Sequence, residues 1–242
     1  MIQMRKEQFG TGTFVHVIQR GSRQMPIVRN DTDRWRFLRL IRYVNDESVP
    51  RHWERDISPD DILDNFRRPA YWPAIKPYVS VIAYCLMDNH FHLLLQERLE
   101  GGVSKFIQRI SNSMAMHHNA RYGTSGTLFE GPYRARVVAD DRHLQYLGAY
   151  INVKNPFERF PGGLHVATAN FEQAYAFAIA YSFSSTADFA GVRTSSILDH
   201  ALRQELFSNP NEFKGVAQEL MLDRQEALSD GGRDGLFLEP WS

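Results

Sequence analysis

A largely apolar stretch with one polar turn constrains the fold of this chain more than any other feature. Residues 84–96 read Tyr-Cys-Leu-Met-Asp-Asn-His-Phe-His-Leu-Leu-Leu-Gln, and Asp88-Asn89 is a favourable turn pair between two strands. Because successive strand residues point to opposite faces, His90 and His92 share one face with Leu94 and Gln96, while Phe91, Leu93 and Leu95 face a core. The stretch therefore predicts a β-hairpin with two imidazoles side by side.

Two neutral imidazoles that point into one space supply half of a divalent-metal site. The alternative is that His90 and His92 are two satisfied or half-exposed residues of an ordinary sheet. A second element downstream favours the metal-site hypothesis.

That second element is a short helix predicted within residues 140–156. An aspartate pair can cap its start, and Pro156 is expected to end it because the residue before a proline avoids helical geometry. The i, i+4 spacing places Tyr146, Tyr150 and Lys154 on one face, away from the apolar stripe. Tyr150 is thus available for chemistry, and the alternative is that it packs at the edge of the stripe.

The remaining segments complete an α+β pattern. In addition to the hairpin, the periodicity predicts strands at 13–19 and 133–138 and helices at 31–44, 103–121 and 143–154. The order β-α-β-β-α-β with a closing helix predicts a ferredoxin-like antiparallel sheet with helices on one face.

The chain is interpreted as two units of unequal size. Residues 1–165 hold the motifs, and the segment 46–77, rich in proline and charge, is interpreted as an insertion with a short helix at 62–66. Residues 166–242 are predicted to form a C-terminal helical extension. Its helix-like segments are 174–182, 197–206 and 210–228, and a glycine-rich tail begins at Asp230.

Four short pieces of sequence occur in an order that points to a family. They are Phe14-Val-His-Val-Ile-Gln-Arg20-Gly21, the stretch from Ala83 to Leu95, Gly126-Thr-Leu-Phe129-Glu-Gly131-Pro-Tyr133-Arg134-Ala-Arg136, and Tyr150-Ile-Asn-Val-Lys-Asn155-Pro156. In these pieces the chain resembles the single-tyrosine His-hydrophobic-His (HUH) transposases of the insertion-sequence and REP-associated tyrosine transposase group.

The resemblance implies an enzyme of DNA transposition in which Tyr150 attacks a phosphate of single-stranded DNA. The products are a covalent 5′-phosphotyrosyl intermediate and a free 3′-hydroxyl. This role suits a tyrosine, because a phenolate is a good leaving group and the link can be made and reversed.

The resemblance also implies a divalent metal, Mg²⁺ or Mn²⁺, held by His90, His92 and the amide of Asn155; ligand type alone leaves zinc possible. In relatives the amide follows the tyrosine by four residues, whereas here the interval is five and Lys154 occupies the usual place. Three explanations are open: the helix ends early, it contains a one-residue bulge, or Asn152 or a water completes the ligand set.

Charge is distributed unevenly although the formal net charge is zero. Residues 1–142 carry 21 basic and 16 acidic side chains, and residues 143–242 carry 7 and 12. The basic surplus accompanies the motifs and favours single-stranded or hairpin DNA as the partner. The candidate DNA-binding residues are Arg20, Arg23, Lys105, Arg109, Arg134 and Arg136, each of which has a solvated surface charge as its alternative interpretation.

Other features of the sequence indicate the cellular compartment. The single cysteine, Cys85, excludes an intramolecular disulfide, and neither a signal peptide nor a membrane span is apparent, so a bacterial cytoplasmic protein is expected. Some relatives exchange the tyrosine helix between protomers, which makes a homodimer an open possibility.

Two other functional classes were weighed. A two-histidine phosphoesterase is disfavoured, because none of the nine histidines begins a His-x-Ser or His-x-Thr motif. A catalytically silent, domesticated DNA-binding protein of the same fold is the alternative that the unusual position of Asn155 keeps open.

Overall fold

The structure is a computed structural model that describes residues 9–57 and 66–229. Within these ranges the strands are β1 (Phe14–Arg20), β2 (Val79–Leu86), β3 (His90–Glu97) and β4 (Arg134–Val137). The helices are α1 (Asp31–Tyr43), α2 (Gly102–Tyr122), α3 (Asp141–Ala149), a π-helical turn (Tyr150–Lys154), α4 (Asn155–Glu158), α5 (Gly163–Ala169), α6 (Phe171–Ala180), α7 (Thr186–Phe189), α8 (His200–Leu206) and α9 (Pro210–Ser229).

The strands form one antiparallel sheet in the order β2-β3-β1-β4. Helix α1 connects β1 to β2, and β3 lies between those two strands. Helix α2 connects β3 to β4 in the same way, with β1 between them. This is the ferredoxin-like arrangement, so the predicted α+β fold is confirmed.

The sheet has two chemically different faces. His90 is opposite Arg20 and His92 is opposite Ile18, and directly paired residues point to the same side of a sheet. We call the side that carries His90 and His92 the histidine face. The other side carries Phe91 and is called the core face.

Helices α1 and α2 cover the core face. The Asn30 side chain caps α1 by accepting a hydrogen bond from the Asp33 amide at 3.2 Å. The ring of Phe37 then lies 5.0 Å from the ring of Phe91, between centroids. As predicted, these two helices share one face.

The tyrosine helix and the C-terminal helices lie against the opposite, histidine face. Helix α8 is joined to β2 by a hydrogen bond from the Asp199 amide to the Val81 carbonyl at 2.8 Å. Helix α3 packs tightly on the end of α8, since a Cβ added at Gly148 would lie 2.9 Å from Leu206 Cδ2. The extension is therefore built onto the element that carries Tyr150.

The predicted C-terminal helices correspond to α6, α8 and α9, with shifts of up to three residues at their ends. The division of the chain at residue 165 stays a prediction. The predicted short helix at 62–66 falls almost entirely on residues outside those described, as does the tail from Asp230. No helix in the described part of the chain is long and apolar enough to cross a membrane.

Candidate active site

The histidine pair lies where the hairpin predicts it, at the start of β3. The His90 and His92 rings are 5.0 Å apart between centroids, in an edge-to-face arrangement. His92 is fully buried and His90 is partly buried. Both side chains belong to the histidine face, beneath the tyrosine helix.

The turn residue Asn89 fixes the tautomer of His90. Its Oδ1 lies 2.7 Å from His90 Nδ1, and because an amide oxygen only accepts, Nδ1 carries the hydrogen. The lone pair is thereby left on Nε2. That nitrogen is buried and has no hydrogen-bond partner among the described residues.

A third histidine, His16 of β1, supports His92. His16 Nε2 lies 3.0 Å from His92 Nδ1, and the two rings stack with centroids 5.3 Å apart. The Nε2 of His92 is buried and has no partner in the described structure. The sequence predicts no role for His16. It shares the histidine face with Ile18, which is paired with His92, and this register between β1 and β3 is visible only in the structure.

All three imidazoles are held in the neutral form. Burial lowers the pKa of His16 to about 3, with a further contribution from the charge of His143. Burial and the charges of Arg20 and Lys154 lower the pKa of His90 to about 3. Burial, followed by the neighbouring histidines, lowers the pKa of His92 well below its usual value. Neutral imidazoles are the form that binds metal ions.

The helix predicted to end at Pro156 continues to Glu158, so that prediction was wrong. A π-helical turn over Tyr150–Lys154 joins α3 to α4, and Pro156 follows it. The wider turn makes room for the proline ring, which in a regular α-helix would clash with the carbonyl four residues earlier.

Two side chains replace the amide hydrogen that Pro156 lacks. That amide would bond to the Asn152 carbonyl in an α turn or to the Ile151 carbonyl in a π turn. Instead Thr186 Oγ1 donates to the Asn152 carbonyl, and Asn155 Nδ2 donates to the Ile151 carbonyl at 3.4 Å. The helix therefore passes the proline without leaving either carbonyl unsatisfied.

The π turn accounts for the interval of five residues between Tyr150 and Asn155. In a π turn the residue five positions on is one turn further along, as the fourth residue is in an α-helix. Of the three explanations left open by the sequence, the structure contains the one-residue bulge. Asn155 is consequently one turn beyond Tyr150.

The amides of Asn152 and Asn155 differ in what they leave unpaired. Asn152 Oδ1 accepts from Ser185 Oγ at 2.6 Å, and its Nδ2 donates to the Gly148 carbonyl at 2.9 Å. Asn155 uses only its Nδ2, and its buried Oδ1 has no partner within the described residues. Lys154, which occupies the usual place of the amide, pairs with Glu158 at 2.7 Å.

Tyr150 packs against the histidine face, and only 3% of its surface is exposed. Its ring centroid is 6.1 Å from that of His92 and 6.1 Å from that of Tyr146, on which it stacks. Two cations approach the ring: Lys154 Nζ at 5.1 Å and Arg224 Cζ of α9 at 5.4 Å from its centroid. Tyr146, Tyr150 and Lys154 lie side by side as predicted, but Tyr150 is part of the hydrophobic core and not of a face away from the apolar stripe.

The donor set fits a divalent cation. Three of the buried polar atoms that lack partners within the described residues belong to these side chains: the Nε2 atoms of His90 and His92, and the Oδ1 of Asn155. Buried polar atoms are rarely left unsatisfied in folded proteins, and two imidazole nitrogens with one amide oxygen are ligands for Mn²⁺, Mg²⁺ or Zn²⁺. Within the described ranges no cluster of three or more His, Cys, Asp or Glu side chains is arranged to hold a metal.

The six candidate DNA-binding residues divide between two surfaces. Arg20, Arg134 and Arg136 belong to the histidine face by their pairing in the sheet, and Arg20 and Arg134 line a cavity of about 190 Å³. Arg23 is exposed in the turn after β1. Lys105 and Arg109 instead lie on α2, where both approach the ring of Tyr78.

Comparison with known proteins gives a family match for the segment that contains the histidine pair and Tyr150. Residues 73–154 match the family model described as "Transposase IS200 like". No curated protein matches the chain. The chain is similar to a solved REP-associated tyrosine transposase bound to a REP hairpin, with 12% identity, 82% of this chain and 98% of that chain covered, and a TM-score of 0.43. The matched segment 73–154, about a third of the chain, contains the histidine pair and the tyrosine turn.

Proposed function

We propose that this protein is a metal-dependent DNA strand transferase that cleaves and rejoins single-stranded DNA through Tyr150 during transposition. The observation that carries the proposal is a set of three unpartnered buried atoms, His90 Nε2, His92 Nε2 and Asn155 Oδ1. Asn155 is one turn beyond Tyr150, and the Tyr150 ring lies 6.1 Å from that of His92. The family of residues 73–154 supports DNA transposition as the setting.

His90, His92 and Asn155 would hold the metal, and Mg²⁺ or Mn²⁺ are the ions that we propose. When bound, the ion supplies charge neutralisation at the scissile phosphate. The rest of the chain prepares the ligands. Asn89 keeps the lone pair of His90 on Nε2. For His92 to bind the metal through Nε2, its Nδ1 would donate to His16 Nε2, which lies 3.0 Å away.

In the proposed reaction the phenolate oxygen of Tyr150 attacks a phosphorus atom of the DNA strand. The bond from phosphorus to the 3′-oxygen of the preceding nucleotide breaks, and that oxygen takes up a proton to become a free 3′-hydroxyl. A new bond joins Tyr150 to the 5′-phosphate. Lys154 and Arg224, whose cations lie beside the ring, would provide positive charge for the DNA phosphate. Attack by a 3′-hydroxyl on the phosphotyrosine reverses the step and rejoins DNA.

Arg20, Arg134 and Arg136 are proposed to guide single-stranded or hairpin DNA to this centre. They project from the same face as the histidines, and arginine suits both phosphate contacts and stacking on unpaired bases.

The proposal is tested by trapping the covalent intermediate. The protein is incubated with 3′-labelled single-stranded and hairpin oligonucleotides from the DNA flanking its coding region, with Mn²⁺ or EDTA, and separated under denaturing conditions. We expect a labelled band at the mass of the protein, dependent on Mn²⁺. Tyr150→Phe should remove the band, whereas Tyr146→Phe, the matched change one turn earlier, should keep it.

Two outcomes would contradict the proposal. A band that persists in Tyr150→Phe would reject Tyr150 as the nucleophile. Binding of the same oligonucleotides without any band would favour the catalytically silent DNA-binding alternative.

A second variant tests the proposed metal ligands. His92→Ala is expected to slow metal-dependent cleavage by on the order of 10².

A further inference from the structure

A groove lined by arginines lies on the other side of the molecule from the candidate active site. It runs between α1, α2 and the segment 49–55, and its volume is about 660 Å³. We call it the arginine groove, after Arg36, Arg51, Arg55 and Arg109, which line it. The segment 49–55 belongs to the region that the sequence marks as an insertion without an assigned function.

The groove is a built feature of the fold. The ring of Trp53 packs 5.3 Å from that of Tyr43, which anchors the segment at the end of α1. Arg36 then reaches from α1 to Glu54 at 2.7 Å and to Ser113 of α2 at 2.8 Å. One guanidinium therefore joins all three walls.

The fourth arginine is held at the mouth of the groove by different contacts. Arg109 Nη1 donates to the Asp46 carbonyl at 2.9 Å, and its Cζ lies 5.0 Å from the centre of the Tyr78 ring. Arg51 and Arg55 are exposed to solvent.

The charge of the groove is strongly positive although the whole chain has a formal net charge of zero. Among its lining residues Glu54 is the one carboxylate, and Arg36 already pairs with it. Four guanidiniums against one carboxylate give a local balance of +3. The lining also supplies Asn112 and Ser113 as polar neighbours. This combination fits the phosphodiester backbone of a nucleic acid, which guanidiniums bind through bidentate hydrogen bonds.

We propose that the arginine groove binds the backbone of the DNA substrate at a stretch remote from the cleaved nucleotides. The inference rests on the proposed function, which makes DNA rather than an acidic protein the expected occupant. Helices α1 and α2 cover the core face of the sheet, whereas Tyr150 lies under the histidine face. A substrate that fills both sites must pass around the edge of the sheet, so the groove would hold flanking or hairpin DNA.

Salt dependence of binding tests the proposal without requiring catalysis. Binding of a labelled hairpin oligonucleotide with a random single-stranded tail is measured in EDTA, at several salt concentrations. We expect Arg51→Gln and Arg55→Gln each to weaken binding about two- to fivefold. Each should also make the negative slope of log binding constant against log salt concentration shallower by roughly 0.9. Lys214→Gln, a change of a half-buried lysine on α9 outside the groove lining, serves as the control and should leave the slope unchanged.

A charge-gain variant excludes misfolding as the explanation. Glu54→Gln removes the one carboxylate of the groove lining and releases Arg36, so it should tighten binding and steepen the slope. The proposal is overturned if the two arginine variants match Lys214→Gln, or if Glu54→Gln weakens binding. The proposal is also overturned, in favour of an acidic protein partner, if the wild type binds a polyglutamate probe and the two arginine variants lose that binding while their DNA binding stays unchanged. Failure of the covalent-adduct experiment would leave these binding results standing, so the two proposals are separable.

Discussion

At the scale of single residues, the candidate site is defined by which polar atoms have partners. Asn89 and His16 contact the Nδ1 atoms of the two proposed histidine ligands, His90 and His92, and leave both Nε2 atoms without a hydrogen-bond partner among the described residues. Such supporting hydrogen bonds set ring orientation and the basicity of the ligand. The sequence could place His90 and His92, because strand periodicity depends on neighbours along the chain. It could not assign His16, whose role depends on the register between β1 and β3.

His16 provides a prediction at this scale. His16→Leu removes the acceptor for His92 Nδ1, so we expect Mn²⁺ affinity to fall by about 10- to 100-fold. His16→Gln keeps an acceptor oxygen near the same place and should retain most of the affinity. Isothermal titration calorimetry with Mn²⁺ measures both, with thermal melts as the folding control. Equal affinities for wild type and His16→Leu would remove the positioning role.

The two asparagines provide a second prediction. Asn155→Ala should abolish or weaken Mn²⁺ binding, because it removes the unpartnered Oδ1, and it should also cost stability, because the Nδ2 bond to the Ile151 carbonyl is lost. Asn152→Ala should destabilise the fold by roughly 1–3 kcal/mol, because it removes the buried hydrogen bond from Ser185 Oγ, but it should keep the Mn²⁺ affinity. Calorimetric titration of the folded variants distinguishes the two. Loss of Mn²⁺ affinity in Asn152→Ala alone would make Asn152 the ligand.

At the scale of elements, the hairpin and the helices α1 and α2 follow from local rules, and the sequence predicts them well. The π turn does not. Pro156 signals the end of a helix, and the compensation comes from Thr186, thirty residues further along the chain. A local pattern contains no information about that contact, which is why the end of the tyrosine helix was misplaced.

The compensation at Pro156 can be measured as a double-mutant cycle. Thr186→Val leaves the buried Asn152 carbonyl without a donor and should cost roughly 1–3 kcal/mol of unfolding free energy. In a Pro156→Ala background the restored amide can serve that carbonyl, so the same change should cost clearly less. Urea unfolding of the four proteins gives the coupling. An identical cost in both backgrounds would contradict this account of the π turn.

At the scale of the whole molecule, Asp88 links elements that the mechanism needs in a fixed relation. Its carboxylate, in the hairpin turn beside the histidines, accepts from Arg34 of α1 and from Arg159, which follows α4, each at 2.7 Å. Partial burial acts to raise the pKa of Asp88, but the hydrogen bonds and charges of the two arginines outweigh it and hold the pKa below its usual value. The hairpin and the tyrosine helix are thereby tied together.

This linkage predicts a pH-dependent stability. A carboxylate with a depressed pKa stabilises the fold above its unfolded value of about 3.9, and that contribution is lost as the pH falls through the folded pKa. The melting temperature of Asp88→Asn should therefore lie below that of wild type at neutral pH, and the difference should shrink below about pH 4. Asp223→Asn, an exposed change on α9, is the control. A difference that stays constant with pH would show that the Asp88 charge contributes nothing.

The two outer strands of the sheet also differ in how they meet their surroundings. Along β2, the Leu86 amide donates to the Phe183 carbonyl and the Ser185 amide to the Tyr84 carbonyl, both at 2.9 Å, so a segment of the chain itself occupies that edge. At the other edge β4 is only four residues long and carries the exposed Arg134 and Arg136. Short, charged or covered edges discourage pairing with strands of other molecules. The sheet that supports the proposed chemistry is thus protected against edge-to-edge aggregation.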